Sequence, residues 1–269
     1  MAAHTSRTFA EERRSAIMDM LERGASVQVS DIAETFGVSS VTARADLDAL
    51  ASAGKLRRTH GGAVSLRKKL TVSVQDQRIN VNVNAKQAIA GAAIELVRDG
   101  DTVFVDSGTT ALEFVRMLNV RSDVTVITAD ITIADFIDES LPGVSVIMLG
   151  GELRQGHRYL YGPLTMASLG ALHADLAVIC PGAFVSSRGF MTDFPQMAEI
   201  KTAAMGMASR NIALMDASKL EARGTYCFAP LCAVDGIVID KDDEGTLSDA
   251  LDKLPNDAKR PQLIVTTEQ

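Results

Sequence analysis

Val38-Ser39-Ser40-Val41-Thr42-Ala43-Arg44-Ala45-Asp46-Leu47, running on to Gly54-Lys55-Leu56-Arg57-Arg58-Thr59-His60-Gly61-Gly62, decides the reading of this chain. Just before it, the apolar stretch Asp31 to Phe36 ends at Gly37, a residue free to take the left-handed turn between two helices. Ser39 or Ser40 caps a second helix running to about Ser52, with Val41, Leu47 and Leu50 as its inner face. Gly54-Lys55-Leu56 then turns into a basic hairpin, Lys55 to Arg58 and Ala63 to Leu66, with Gly61-Gly62 at its tip. Helix, turn, helix and wing in this order form a module that lays one helix in the DNA major groove.

Outward from that core, Phe9 to Arg23 reads as an amphipathic helix stopped by Gly24. Ser26 to Val29 reads as a short strand, and Ser30 as the cap of the next helix. Residues 1–69 hold 11 Lys and Arg against 8 Asp and Glu, whereas the rest of the chain holds 16 against 26. A basic module on an acidic body is the charge layout expected when one domain meets phosphates and the other does not. Ser39, Ser40, Thr42 and Arg44 of the second helix, with Lys55, Arg57, Arg58 and His60 of the wing, are the expected DNA contacts. Arginine can bond a guanine edge at two points, and hydroxyls and wing cations reach phosphates. Asp46 and Asp48 read as a solvated helix face, with Asp46 near enough to pair with an Arg.

At 269 residues with net charge −7 the chain suits two domains. We expect a DNA-binding domain over residues 1–66, a linker over 67–85 and an α/β domain over 86–269. No apolar run reaches the ~20 residues of a membrane span, and the N-terminus lacks the apolar centre of a signal peptide. Cys180, Cys227 and Cys232 lack a Cys-x-x-Cys spacing and read as buried, reduced thiols of a cytoplasmic protein. The four scattered His give a metal site little support, and no cofactor motif is present.

From Lys86 onward the pattern changes to short apolar strands separated by helices: 102–106, 124–128, 144–149, 176–180, 212–216, 236–240 and 263–266. Near-continuous apolar strands in that alternation indicate a mainly parallel sheet covered on both faces. Asp106-Ser107-Gly108-Thr109-Thr110 follows the first of them and opens a helix, where free N–H groups favour an anion. Thr128, Gly150-Gly151 and Gly182 also follow strands, so a parallel sheet brings them to the edge where open α/β sheets bind ligands. Lys86, Arg154, Lys201 and Lys219 are candidate partners for a phosphate or carboxylate. Glu199 and Lys201 either pair locally or face the pocket.

These residues resemble the DeoR family of bacterial transcriptional regulators. The resemblance rests on Val38 to Leu47 and Leu56 to Ala63 in the first domain. In the second it rests on Lys86, Gly100-Asp101, Asp106 to Thr110, Val126 to Thr128, Gly150-Gly151, Gly162, Asp175, Gly182, Gly189, Glu199 with Lys201, and Asp216 to Lys219. It implies a regulator, usually a repressor, of sugar or polyol catabolism genes. It also implies a homo-oligomer, dimer or tetramer, that binds an operator in double-stranded DNA and answers to a phosphorylated sugar or related metabolite. The implied effector domain is similar in fold to ribose-5-phosphate isomerase and the coenzyme A transferases. Three positions depart from the family pattern: Ala45 stands where a second Arg is usual, Ala129 where Asn is usual, and Tyr159 where Ser is usual. The rival reading is a sugar-phosphate isomerase with an appended DNA-binding module. Such isomerases carry acidic residues where this chain has Pro181-Gly182-Ala183-Phe184, which favours a sensor, and leaves Glu199 as the candidate base.

Overall fold

The computed structural model describes residues 10–24, 26–59, 61–65, 78–79 and 81–266. The chain divides into two compact units, Met1–Val72 and Ser73–Gln269. The first holds α1 (Ala10–Gly24), β1 (Ser26–Gln28), α2 (Val29–Phe36), α3 (Ser40–Ser52), β2 (Leu56–Arg58) and β3 (Gly62–Ser65). Its strands pair antiparallel in the order β1-β3-β2. Ile17, Leu21, Ile32, Ala43, Leu47, Leu50 and Leu56 form its core. Gly37 takes the left-handed conformation at the end of α2, and Ser39 caps α3 by accepting from Thr42 N–H at 3.1 Å. Ser30 does not cap α2: the helix starts two residues earlier, with Gln28 at the cap position, and the Ser30 hydroxyl meets Asp31 instead.

Two expectations for α3 are overturned. Val41 is 71% exposed, so the inner face is Ala43, Leu47 and Leu50 without it. Positions 43, 47 and 50 share one side of a 3.6-residue repeat, and 41 lies opposite. Asp46 is buried rather than solvated, clasped by Arg13 at 2.5 Å and Arg14 at 2.9 Å from α1.

The second unit begins with α4 (Val83–Ile94), five residues ahead of the helix expected from Ala88. Residues 83–85, expected as the end of the linker, belong to it; most of the linker's other positions lie outside the described residues. There follow β4 (Thr102–Val105), α5 (Thr109–Arg116), β5 (Thr125–Thr128), α6 (Ile131–Ser140), β6 (Ser145–Met148), β7 (Glu152–Arg154) and β8 (Tyr159–Tyr161). Next come α7 (Pro163–Ala171), β9 (Ala174–Ile179), β10 (Ala183–Val185), β11 (Gly189–Thr192), α8 (Pro195–Met207) and β12 (Ala208–Met215). The unit closes with β13 (Tyr226–Ala229), β14 (Gly236–Ile239), α9 (Thr246–Asp252) and β15 (Gln262–Val265).

Seven of these strands form one parallel sheet in the order β15-β14-β12-β9-β4-β5-β6. Alternate residues of each strand enter different cores. Val103 and Val105 meet Ile89, Phe114 and Ile133 on one face. Phe104, Ala177 and Ala213 meet Leu169, Ile200 and Leu247 on the other. Both faces are buried over the central strands, which is why these read as continuous apolar runs; the edge strand β6, expected to be covered as well, is exposed along its whole length because it has a neighbour on one side only. The chain runs β4, β5, β6 toward one edge and then returns to place β9 on the other side of β4. Two small antiparallel sheets, β7-β8 and β10-β11-β13, are additions that the sequence reading did not contain.

Candidate functional site

In the first unit, Ser39, Ser40, Arg44, Lys55 and Arg57 are exposed, and Thr42 is half-buried. His60 lies outside the described residues. The Ser39 and Thr42 hydroxyls meet at 3.0 Å, so part of their bonding capacity serves the cap. Arg58 is more committed than the sequence suggests. Its Nε sits 2.8 Å from the Asp48 carboxylate and its Nη1 donates to Gly62 O at 2.7 Å. It therefore ties the wing to α3 and offsets the charge of an acid on that helix. Gly62 is demanded by packing: a Cβ there would run into the Val27 carbonyl across the β1–β3 pairing.

In the second unit a cavity of about 300 Å³ opens beside the carboxyl ends of β4 and β9. These neighbouring strands lead to opposite halves of the sheet, the place where such sheets take ligands. Lys86, Ser107, Gly108, Thr109, Thr110, Gly182, Lys201 and Lys219 all line it, as do Arg154, His157, Tyr159, Phe194 and Asp216. Asp106 lies beneath the lining, buried. One carboxylate oxygen accepts from Ser107 N–H and the other from Cys180 N–H, both at 2.8 Å, and the second also pairs with Lys201. Asp106 thus stitches β4 to the strand beside it and holds the loop. The Lys201 ammonium reaches the cavity wall but is engaged by Asp106 and by the Cys180 carbonyl at 2.8 Å. The Cys180 thiol, in the same wall, has its pKa pushed well up by desolvation and then by the Asp106 charge, so it is a neutral group.

Thr128, Gly150 and Gly151 do not line the cavity. The buried Thr128 hydroxyl accepts from Asp130 N–H at 3.1 Å. Asp130 in turn caps α6 and accepts from Gly108 N–H at 3.3 Å. The Gly150 carbonyl accepts from Thr165 at 2.7 Å, and a Cβ on Gly151 would collide with Thr165 and the Tyr161 backbone. Gly151 packs against the second strand of the hairpin β7–β8, and the hairpin carries two cavity residues, Arg154 and Tyr159. Parallel strands place all strand-following loops at one edge, but only some of them line the cavity.

Since Ser107 and Gly108 give their N–H groups to carboxylates, the anion-favouring donors are those further into the start of α5, at Thr109 and Thr110. Lys86 is buried, with its ammonium donating to the Arg78 carbonyl at 2.6 Å and to Val81. Desolvation lowers its pKa, partly countered by Asp216. Burial alone would raise the Asp216 pKa, but hydrogen bonds from Ser218 and Asn82 and the charge of Lys219 bring it below the ordinary value. Lys219 stands 4.0 Å from that carboxylate and is half-buried. At another part of the wall, Arg154 stacks 3.8 Å over the Phe194 ring and donates to the Tyr159 hydroxyl. Cationic groups outnumber carboxylates in the lining, so the cavity favours an anionic ligand. Glu199, the candidate base of an isomerase, is exposed and does not line it.

Among the described residues, no helix is long and apolar enough to cross a membrane, and no cluster of three potential metal ligands occurs. All three cysteines are free, but none is fully buried: Cys180 and Cys232 are half-buried and Cys227 is exposed.

Residues 13–69 match the DeoR-like helix-turn-helix domain and residues 81–241 the DeoR C terminal sensor domain. The HTH-type transcriptional repressor GlcR of Bacillus subtilis is 31% identical, over 91% of this chain and 94% of its own. The transcriptional repressor AccR of Agrobacterium fabrum is 33% identical, over 78% and 81%. The lactose phosphotransferase system repressor of Lactococcus lactis is 30% identical, over 78% and 83%. Ribose 5-phosphate isomerase A from Methanocaldococcus jannaschii overlays 52% of this chain and 55% of its own at 18% identity and a TM-score of 0.39. With a winged DNA-binding unit, a sensor unit and relatives that are regulators rather than enzymes, this chain belongs to the DeoR family of DNA-binding transcriptional regulators.

Proposed function

We propose that this regulator is a repressor of sugar or polyol catabolism genes, released from its operator when a phosphorylated sugar or polyol fills the cavity of the second unit. The observation that carries the reading is the convergence of Lys86, Lys219 and Arg154 with the N-terminus of α5 on one polar cavity at the β4–β9 switch point. The helix start and a lysine hold the phosphate; Asp216 and the hydroxyls of Thr109 and Thr110 are suited to sugar hydroxyls. The names of the lactose phosphotransferase system repressor and of GlcR support a sugar as the controlling metabolite. The protein works in the cytoplasm as a homo-oligomer, dimer or tetramer, because two modules on adjacent half-sites gain affinity that one lacks. Residues 1–66 carry DNA binding and residues 86–269 the sensing, joined by 67–85.

A thermal-shift screen of the full chain against sugar phosphates and their unphosphorylated parents tests the reading, since a ligand of the native state raises the melting temperature by mass action. At least one phosphorylated compound should raise it and loosen operator binding. Gly108→Val should abolish both effects and leave operator binding intact. Gly108 has φ +132°, which a β-branched residue rarely adopts, so the loop must move. Stabilisation by unphosphorylated sugars only would overturn the proposal.

A further inference from the structure

We propose that Val41, with Ala45 one turn further along α3, seats the 5-methyl group of a thymine and so fixes a base of the operator. The proposal rests on DNA binding by the first unit and adds to it the chemistry of one contact.

Val41, Arg44, Ala45 and Asp48 share the face of α3 opposite its core, and all four are exposed. Val41 is the most exposed large apolar side chain among the described residues. Nothing in the unit's own stability calls for it. A β-branched residue in an exposed helix position has poorer helix propensity than Ala and leaves apolar surface in water. It lies two residues after the Ser39 cap, in the first turn, the part of a recognition helix that comes nearest the base edges. Ala45, where the family has a second Arg, extends the apolar strip at i+4 and keeps it narrow.

The surroundings select DNA as the occupant. Arg44 on the same face, and Lys55 and Arg57 in the same unit, are exposed cations suited to a guanine edge and to phosphates. The acid on that face, Asp48, has its charge met by Arg58 at 2.8 Å. In the major groove thymine alone among the standard bases presents a methyl group. A cytosine there presents only a C–H in place of the methyl and leaves Val41 without its apolar partner.

Replacing thymine by uracil removes only the methyl and leaves every hydrogen-bonding group in place. The test starts by selecting operators from a random duplex library with the full chain. Each thymine of the selected site is then replaced singly by uracil, and affinity is read by fluorescence anisotropy. In each half-site at least one replacement should weaken wild-type binding by roughly three- to tenfold, the worth of one buried methyl contact. Val41→Ala, which favours the helix, should bind the thymine and uracil duplexes equally at that position. Arg57→Ala should bind both more weakly and keep their ratio. Uracil tolerated everywhere within twofold, or a penalty that persists in Val41→Ala, overturns the thymine contact while leaving DNA binding in place. Failure to enrich any sequence overturns DNA binding, and the contact with it.

Discussion

Lys201 of α8 and Asp106 at the end of β4, 95 residues apart in sequence, meet as a buried ion pair beneath the cavity of the sensor unit. The pair fixes the loop Ser107 to Thr110 against the neighbouring strand, so the loop's cavity-facing groups stand on a rigid base. Two strand ends, one helix and one loop depend on the same carboxylate.

Lys201→Met should therefore destabilise the sensor unit by about 3–5 kcal/mol, because it leaves the Asp106 charge buried with one partner fewer. Asp106→Asn combined with Lys201→Met should recover part of that loss. Urea unfolding of wild type, the two single variants and the double variant measures the coupling; additive losses would show that the two side chains do not act as a pair.

Lys86 predicts a pH effect. Its folded-state pKa is lowered by desolvation, so between that value and the unfolded ~10.4 the unfolded chain binds more protons. Stability attributable to Lys86 should rise as pH rises through that window, since the cost of its buried charge is lifted. A phosphate beside it favours the charged form, so effector binding at alkaline pH should take up protons. Calorimetry in two buffers of different ionisation enthalpy detects this uptake. Lys86→Met should remove it.

Gly151→Ala should cost about 1–3 kcal/mol, since its φ of +152° and the crowding by Thr165 and Tyr161 leave no room for a Cβ. Gly151 lies outside the cavity lining, yet the variant should weaken effector binding by displacing the hairpin that carries Arg154 and Tyr159. Thermal unfolding and ligand titration of the same sample check both effects.

Asp46→Ala should impair operator binding without Asp46 touching DNA. The buried carboxylate holds Arg13 and Arg14 of α1 against α3, and its loss should destabilise the first unit by about 3–5 kcal/mol. Limited proteolysis should find this unit cut faster while the sensor unit resists as before. Unchanged proteolysis together with lost binding would instead make Asp46 a DNA contact.

Arg57 and Arg58 should separate in a salt titration. Arg57 is exposed, and Arg57→Ala should lower the slope of log affinity against log salt by about 1 per module. Arg58 is engaged by Asp48 and Gly62, so Arg58→Ala should loosen the wing and bare the Asp48 charge. Thermal stability should fall in Arg58→Ala and hold in Arg57→Ala.

By itself the sequence determined the parts. The Ser39 cap and the Gly37 turn each act within a few residues, so their meaning is local and was legible. The apolar runs announced a parallel sheet with covered central strands, and the Asp106 to Thr110 loop announced one wall of a cavity. The tertiary structure alone decided which parts meet. Strands apolar on both faces do not encode their order in the sheet, so the union of Asp106 with Lys201 and the exclusion of Thr128, Gly150 and Gly151 from the cavity follow only from β9 lying beside β4. The same holds for Asp46 of α3: composition marks it as surface, but Arg13 and Arg14 of α1 close over it. Burial is a property of neighbours distant in sequence, and a short periodic pattern on one helix leaves its rotation open by about one residue, or ~100°.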